Sequence, residues 1–241
     1  MINNFVSDTE KFTLDGTSSD TLGLYCDFLP PIPPAEQLYT TFNTGADEMG
    51  TTEDDVFNDI TYQIRFYTFL ADNYNDTAIK AFCTGKKILT LSRCPDYYFK
   101  IRRMRLTATD STGYGKRIDY VLTLTLAPFR YVEDNEWIDV EINLAQTTIY
   151  NLHTVFSKPI IEITGTGAVA IICQGQQFLI NGLEDNQTVI IDSERKITYS
   201  GTEMLTGKTE GDYPMFNVGE NILQFSTPIT EARYKCNWRD F

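Results

Sequence analysis

Residues 97–129 read YYFKIRRMRLTATDSTGYGKRIDYVLTLTLAPF. Two runs of alternating apolar and polar residues flank Thr112-Gly113-Tyr114-Gly115-Lys116, whose glycines suit a hairpin loop. β-Branched and aromatic residues dominate both runs, and a period of two is the spacing of side chains on one face of a strand. The stretch predicts a long antiparallel hairpin inside a mainly β protein.

Working towards the N-terminus, Cys94-Pro95-Asp96 predicts a turn, because the residue before proline is pushed away from helix. KILTLS (87–92) and ITYQIRFYTFL (60–70) alternate as strands do. Between them TAIKAFCTG places Ala78, Ile79, Phe82 and Cys83 at helical spacing, with Asp76-Thr77 as a cap and Gly85 as a stop. That predicts one short helix over 77–84. Pro30-Pro31-Ile32-Pro33-Pro34 favours an extended polyproline-like segment. A polar, acidic stretch follows from Asn43 to Asp59. Residues 29–59 are expected to leave the core as a strand–loop–strand arm.

Towards the C-terminus, the charged, aperiodic Tyr131–Glu136 marks a domain boundary. The expected domains are 1–132, β-rich with one short helix (α+β), and 133–241, a β-sandwich. The second is read from short strands separated by turn signals: WIDVEIN, TTIYNLHT, PIIEITG, VAIICQG, QQFLIN, TVIIDSE, KITYSG, ENILQFS and ARYKCNW.

The formal net charge is −13 over 241 residues. An acidic chain does not hold duplex nucleic acid by neutralising phosphates. The charge is unevenly spread. Residues 1–60 carry twelve acids against Lys11 alone, a net of −11; residues 80–105 carry eight bases against Asp96, a net of +7. Charge runs are usually solvated faces. An acidic patch meeting a basic one head to tail is also the geometry that closes rings. The candidate contact residues are Arg102, Arg103 and Arg105 on one side and Asp54 and Asp55 on the other.

Candidate chemistry is sparse. Gly201…Gly207-Lys208-Thr209 has five residues between its glycines where a phosphate loop needs four, and a turn follows instead of a helix. Gly165-Thr-Gly167-Ala-Val-Ala170 precedes a strand, so it reads as a tight connection between antiparallel strands rather than a dinucleotide loop. His153 is the single histidine, and no GxSxG elbow occurs, which leaves a catalytic triad without parts. His153 is expected to be structural. No histidine or thiolate cluster suggests a metal, and Glu53-Asp54-Asp55 with Asp59 lacks calcium-loop spacing and reads as a solvated loop. Aromatics and bases interleave over Tyr97–Arg105, as on a single-strand nucleic-acid platform, but in so acidic a chain strand residues in a core and a subunit contact account for them better. The five cysteines (Cys26, Cys83, Cys94, Cys173, Cys236) have no CxxC pair and read as reduced, mostly buried thiols in a reducing compartment. The N-terminus lacks signal-peptide features, and no apolar run is long enough to cross a membrane. No enzyme activity and no cofactor are expected.

Taken in order, several stretches resemble the distal tail protein (Dit) family of siphophages. In the N-terminal half these are LGLYCDFLPPIPPAEQ (22–37), DITYQIRFYTF (59–69), KKILTLSRCPDYYFKIRRM (86–104) and VLTLTLAPFRY (121–131). In the C-terminal half they are KPIIEITGTGAVAIICQGQQFLI (158–180), VIIDSERKITY (189–199), FNVGENILQFS (216–226) and the terminal NWRDF (237–241). The resemblance implies a ring-forming belt domain followed by a galectin-like sandwich. It also implies a homohexameric ring, single or stacked, with an opening wide enough for DNA. Its expected partners are further copies of the chain, the tail tube protein, a tail-tip hub or tail-associated protein and receptor-binding proteins. The expected place is the virion tail tip, after synthesis in the host cytoplasm. The alternative is a carbohydrate-binding adhesion module, with Trp137 and Trp238 as stacking residues.

Overall fold

The computed structural model describes residues 10–43, 49–70, 74–110, 117–142, 146–226 and 229–241, with backbone only for 39–43, 49–56 and 109–110. The protein is mainly β. Backbone contacts divide it into two compact units, Met1–Glu133 with Phe241, and Asp134–Asp240.

The first unit contains β1 (Phe12–Leu14), β2 (Thr17–Ser18), β3 (Gln37–Asn43), β4 (Met49–Phe57), β5 (Ile60–Phe69), α1 (Asp76–Phe82), β6 (Ile88–Leu91), β7 (Cys94–Asp110) and β8 (Arg117–Val132). The strands β5-β8-β7-β6-β1-β2 hydrogen-bond side by side in that order, each pair antiparallel. Strict alternation makes β5 two-faced: Ile60, Tyr62, Ile64 and Phe66 are buried, while Thr61, Gln63 and Arg65 face out. The core stacks Phe66 on Tyr120 (ring centroids 5.3 Å apart) and packs Phe12 against Phe66 and Phe82. Each such ring contributes about 1.5–3 kcal/mol by burial.

α1 begins one residue earlier than predicted and ends at Phe82. Asn75, not Asp76, is the cap: its side-chain oxygen accepts the Ala78 N–H at 3.0 Å. The turn predicted at Cys94-Pro95-Asp96 falls instead on Ser92-Arg93, and Cys94 already pairs with Leu91. Proline is tolerated at a strand start, where its missing N–H breaks no ladder. The arm appears as β3 paired with β4, from Gln37↔Phe57 to Asn43↔Met49. Glu53, Asp54 and Asp55 therefore lie on a strand, not on the solvated loop expected; their side chains, like residues 44–48 and the predicted hairpin loop at 112–116, lie outside the described residues.

The second unit contains β9 (Ile138–Asp139), β10 (Thr147–Asn151), β11 (Ile160–Cys173), β12 (Gln176–Asp192), β13 (Ile197–Ser200), β14 (Glu203–Met204), β15 (Thr209–Glu210), β16 (Gly219–Phe225) and β17 (Ile229–Lys235). They form one hydrogen-bonded sheet around one core, which holds Ile161, Ile163, Ile171, Phe178, Ile180, Val189, Ile191 and Phe216. Four of the predicted short strands merge into two long ones. Gly165-Thr-Gly167 is not a connection between strands but a register shift inside β11, with Gly167 at φ 74°. The tight turn is Gln174-Gly175, both at positive φ (52° and 75°). The irregularity lets β11 pair with β17 over Ile160–Gly165 and with β16 over Ile171–Cys173. One strand thus serves two sheet regions around one core.

Candidate functional site

The outward face of β5, β8 and β7 carries Arg65, Arg103 and Arg105. Register builds it in rows: Thr61–Thr125–Arg103, Gln63–Thr123–Arg105 and Arg65–Val121–Thr107. Period-two counting from the buried Phe99 and Ile101 would drive Arg103 and Arg105 into the core. A bulge prevents this. Ile101 pairs with Leu126 but Arg103 with Thr125, so Arg102 is an extra residue and every later side chain changes face. Met104 and Leu106 then turn inward, and Arg102, Arg103 and Arg105 are all exposed.

The cations on this face differ in their commitments. Arg102 pairs with Asp59 at 2.8 Å. Arg117 pairs with Asp119 at 2.6 Å and lies over the Tyr67 ring at 3.7 Å. Among the described residues Arg65, Arg103 and Arg105 form no ion pair. These three arginines lie on a threonine-rich face and present their donor forks without an ion-pair partner among the described residues. The acids expected to answer Arg102, Arg103 and Arg105, namely Asp54 and Asp55, sit on β4.

The aromatics of the 97–105 stretch are engaged within the chain. Tyr98 stacks on Tyr131 at 5.4 Å, Arg130 lies over Tyr97 at 4.5 Å, and Phe99 is buried. Trp137 carries Arg233 and Lys235 at 4.7 and 5.1 Å from its ring centre, and Arg233 is held by Glu162 at 2.8 Å. Trp238 packs against His153 at 5.6 Å and Phe216 at 6.0 Å.

His153 is part of a cluster that no sequence motif announces. Its Nδ1 lies 3.0 Å from Asp240 Oδ2, while Asp240 Oδ1 accepts the Thr154 N–H at 2.8 Å and the Thr154 hydroxyl at 3.0 Å. Burial opposes ionisation of Asp240, but these three hydrogen bonds outweigh it and hold its carboxyl below the usual aspartate range. A histidine oriented by a carboxylate resembles half of a hydrolytic triad. Here the ring rests on Trp238 and the neighbouring hydroxyl is spent on the same carboxylate, so the cluster latches Asp240 to the His153-Thr154 segment. The partners are 87 residues apart, and neither belongs to a local motif.

The cysteines form no disulfide. Four are buried and Cys94 is partly exposed. Desolvation pushes the Cys26 thiol up to about 11 and those of Cys83 and Cys236 up to about 12, which keeps them protonated. Among the described residues, no group of three His, Cys, Asp or Glu could hold a metal, and no helix is long and apolar enough to cross a membrane. The Gly207-Lys208-Thr209 segment forms a single 3-10 turn running into β15, without a helix to cradle phosphate.

No family model and no curated protein matches this sequence. The fold does have a match among solved structures. The crystal structure of the SPP1 Dit protein (gp 19.1) superposes with a TM-score of 0.67 over 95% of this chain and 98% of that one, at 10% sequence identity. That structure is described as a paradigm of the hub adsorption apparatus in phages infecting Gram-positive bacteria. At this identity the likeness establishes a shared fold across nearly the whole chain.

Proposed function

We propose that this chain is a structural protein of a bacteriophage tail tip, forming a ring that joins the tail tube to the hub or baseplate and its host-adhesion proteins. The observation that carries this reading is the extent of the match: nearly all of both chains, to a protein of a phage hub adsorption apparatus. Sequence drifts far further than architecture when packing and assembly are what is retained.

The ring is a homohexamer with a central opening for DNA. Each copy contributes its acidic β3–β4 arm to a neighbour's cationic face, Asp54 and Asp55 meeting Arg102, Arg103 and Arg105. A contact between two different surfaces repeats head to tail and closes when the rotation allows. Three properties support it: the arm sequence is acidic, Arg103 and Arg105 on the receiving face form no ion pair among the described residues, and that face is an exposed sheet surface. An acidic chain lets DNA pass without capturing it, since like charges repel. The role needs neither catalysis nor a cofactor. Mass measurement in solution over rising concentration tests it. A species of six chain masses is expected, alone or on addition of tail tube protein; a strict monomer under both conditions contradicts it.

A further inference from the structure

A hollow of about 710 Å³ opens on the outward side of β5 and β8, within the roughly 300–1,000 Å³ range of small-ligand sites. One wall is the segment Tyr25–Pro30, which is fastened at both ends. Tyr25 and Tyr67 exchange backbone hydrogen bonds of 2.8 and 2.9 Å, and the Tyr62 hydroxyl donates to the Pro30 carbonyl at 2.8 Å. Between these anchors the Leu29 N–H donates to Glu10, and the Leu29 carbonyl accepts from Arg93. Arg93 also lies over the Phe28 ring at 5.6 Å. Phe28 is nonetheless 57% exposed and lines the hollow. A large ring held this firmly yet left in water is a platform, not a loose loop tip.

The polar lining has a definite balance of open valences. Arg117 is committed to Asp119 and Tyr67. Asp27 accepts the Tyr67 hydroxyl at 3.1 Å on one oxygen, leaving the other for a ligand. Gln63 offers an amide, and Arg65 offers a guanidinium with no carboxylate among the described residues. An extended peptide would bind by adding to the β5 edge, but at Tyr67 that edge is already taken by Tyr25. Among the described residues, what remains is an aromatic platform, the Arg65 guanidinium, and an amide and a carboxylate oxygen within the same hollow.

We propose that this hollow binds an acidic pyranose unit of a saccharide. The apolar face of the sugar ring stacks on Phe28, its carboxylate takes the bidentate fork of Arg65, and its hydroxyls reach Gln63 and Asp27. This site is separate from the arginine row assigned to assembly and does not depend on the ring. It places saccharide contact in the first unit, away from Trp137 and Trp238.

The test is calorimetric titration of the full chain at physiological salt with tetragalacturonate and with its methyl ester. Saturable binding of the acid is expected, with the uncharged ester binding about tenfold more weakly. Phe28→Ala should weaken binding of the acid about tenfold. Arg65→Gln should do the same and erase the difference between acid and ester. Arg105→Gln, on the same face but outside the hollow, should bind as wild type; an equal loss there would mean diffuse charge attraction and overturn the proposal. Absence of saturable binding at millimolar tetragalacturonate, equal affinity for the ester, or wild-type binding by both hollow variants would each overturn it too. Far-UV circular dichroism of the variants separates lost binding from lost fold. Ring assembly is read separately by mass, so failure of the site and failure of the ring are distinguishable.

Discussion

Reversing the arginine row tests the assembly contact at a cost to the single chain that can be bounded beforehand. Arg102, Arg103 and Arg105 all face solvent, Arg102 with 60% of its side chain exposed, and only Arg102 has an ion-pair partner among the described residues. An exposed pair contributes about 0–1 kcal/mol, so Arg102→Glu, Arg103→Glu and Arg105→Glu together should destabilise the isolated chain by about 1 kcal/mol, with a further small penalty from the new carboxylate beside Asp59. Across an interface the arithmetic differs. Close charge pairs couple by at least about 1.5 kcal/mol each, and reversal replaces attraction by repulsion. Three reversals should cost roughly 5 kcal/mol per contact, or between about three and four orders of magnitude in the concentration needed for assembly. Sedimentation over a concentration series, with circular dichroism as the folding control, reads both quantities. Wild-type assembly should weaken with salt, because exposed charges are screened within about 8–10 Å. Adding Asp54→Lys and Asp55→Lys to the triple variant should restore assembly. Unchanged assembly of a folded triple variant would refute the reasoning.

Other outcomes follow from single features of the structure. Asp240→Ala strips three hydrogen bonds from a buried cluster and should cost the second unit about 3–5 kcal/mol. Both tryptophans lie in that unit, so tryptophan fluorescence during urea unfolding isolates it; a loss under about 1 kcal/mol would contradict the latch. The folded-state pKa of Asp240 lies below its unfolded value, so its contribution is present above the unfolded aspartate pKa and disappears as pH falls through the folded one. Stability of wild type should therefore drop more than that of Asp240→Asn on acidification. Gly211 has φ 91°, and a Cβ there would meet the Gln177 carbonyl at 2.3 Å, whereas a Cβ at Gly207 meets nothing within 4 Å. Gly211→Ala should lower stability by about 2 kcal/mol or more and Gly207→Ala by less than about 1 kcal/mol; equal losses would contradict the close approach of Gly211 to the Gln177 carbonyl. In thiol labelling of the native chain Cys94 should react first, with Cys26, Cys83, Cys173 and Cys236 protected until unfolding.

The strands were legible wherever one face alone is buried. ITYQIRF alternates from Ile60 to Phe66, and its residues are buried in that pattern, which the backbone carries on through Thr68 after the residue types cease to alternate. Reading failed where a single residue changes the register. Nothing in FKIRRMRL marks Arg102 as a bulge, yet the bulge decides that Arg103 and Arg105 meet solvent instead of Leu and Phe side chains. Gly165 and Gly167 were visible as a break in pattern, but a turn and a bulge call for the same residue, and only the pairing of β11 with β17 and β16 tells them apart. The Pro95 turn was misplaced because a proline that opens a strand resembles one that closes a turn. The His153–Asp240 latch and the hollow beneath Phe28 were out of reach, since each joins segments distant in sequence through side chains of no local motif.

The central claim is that this fold builds a ring, and direct imaging of purified particles tests it most simply. Electron micrographs of the chain, alone or with tail tube protein, should show six-fold rings with a central opening, lost in the triple arginine variant. Particles that remain single chains, or that form open strings without closure, would contradict the account.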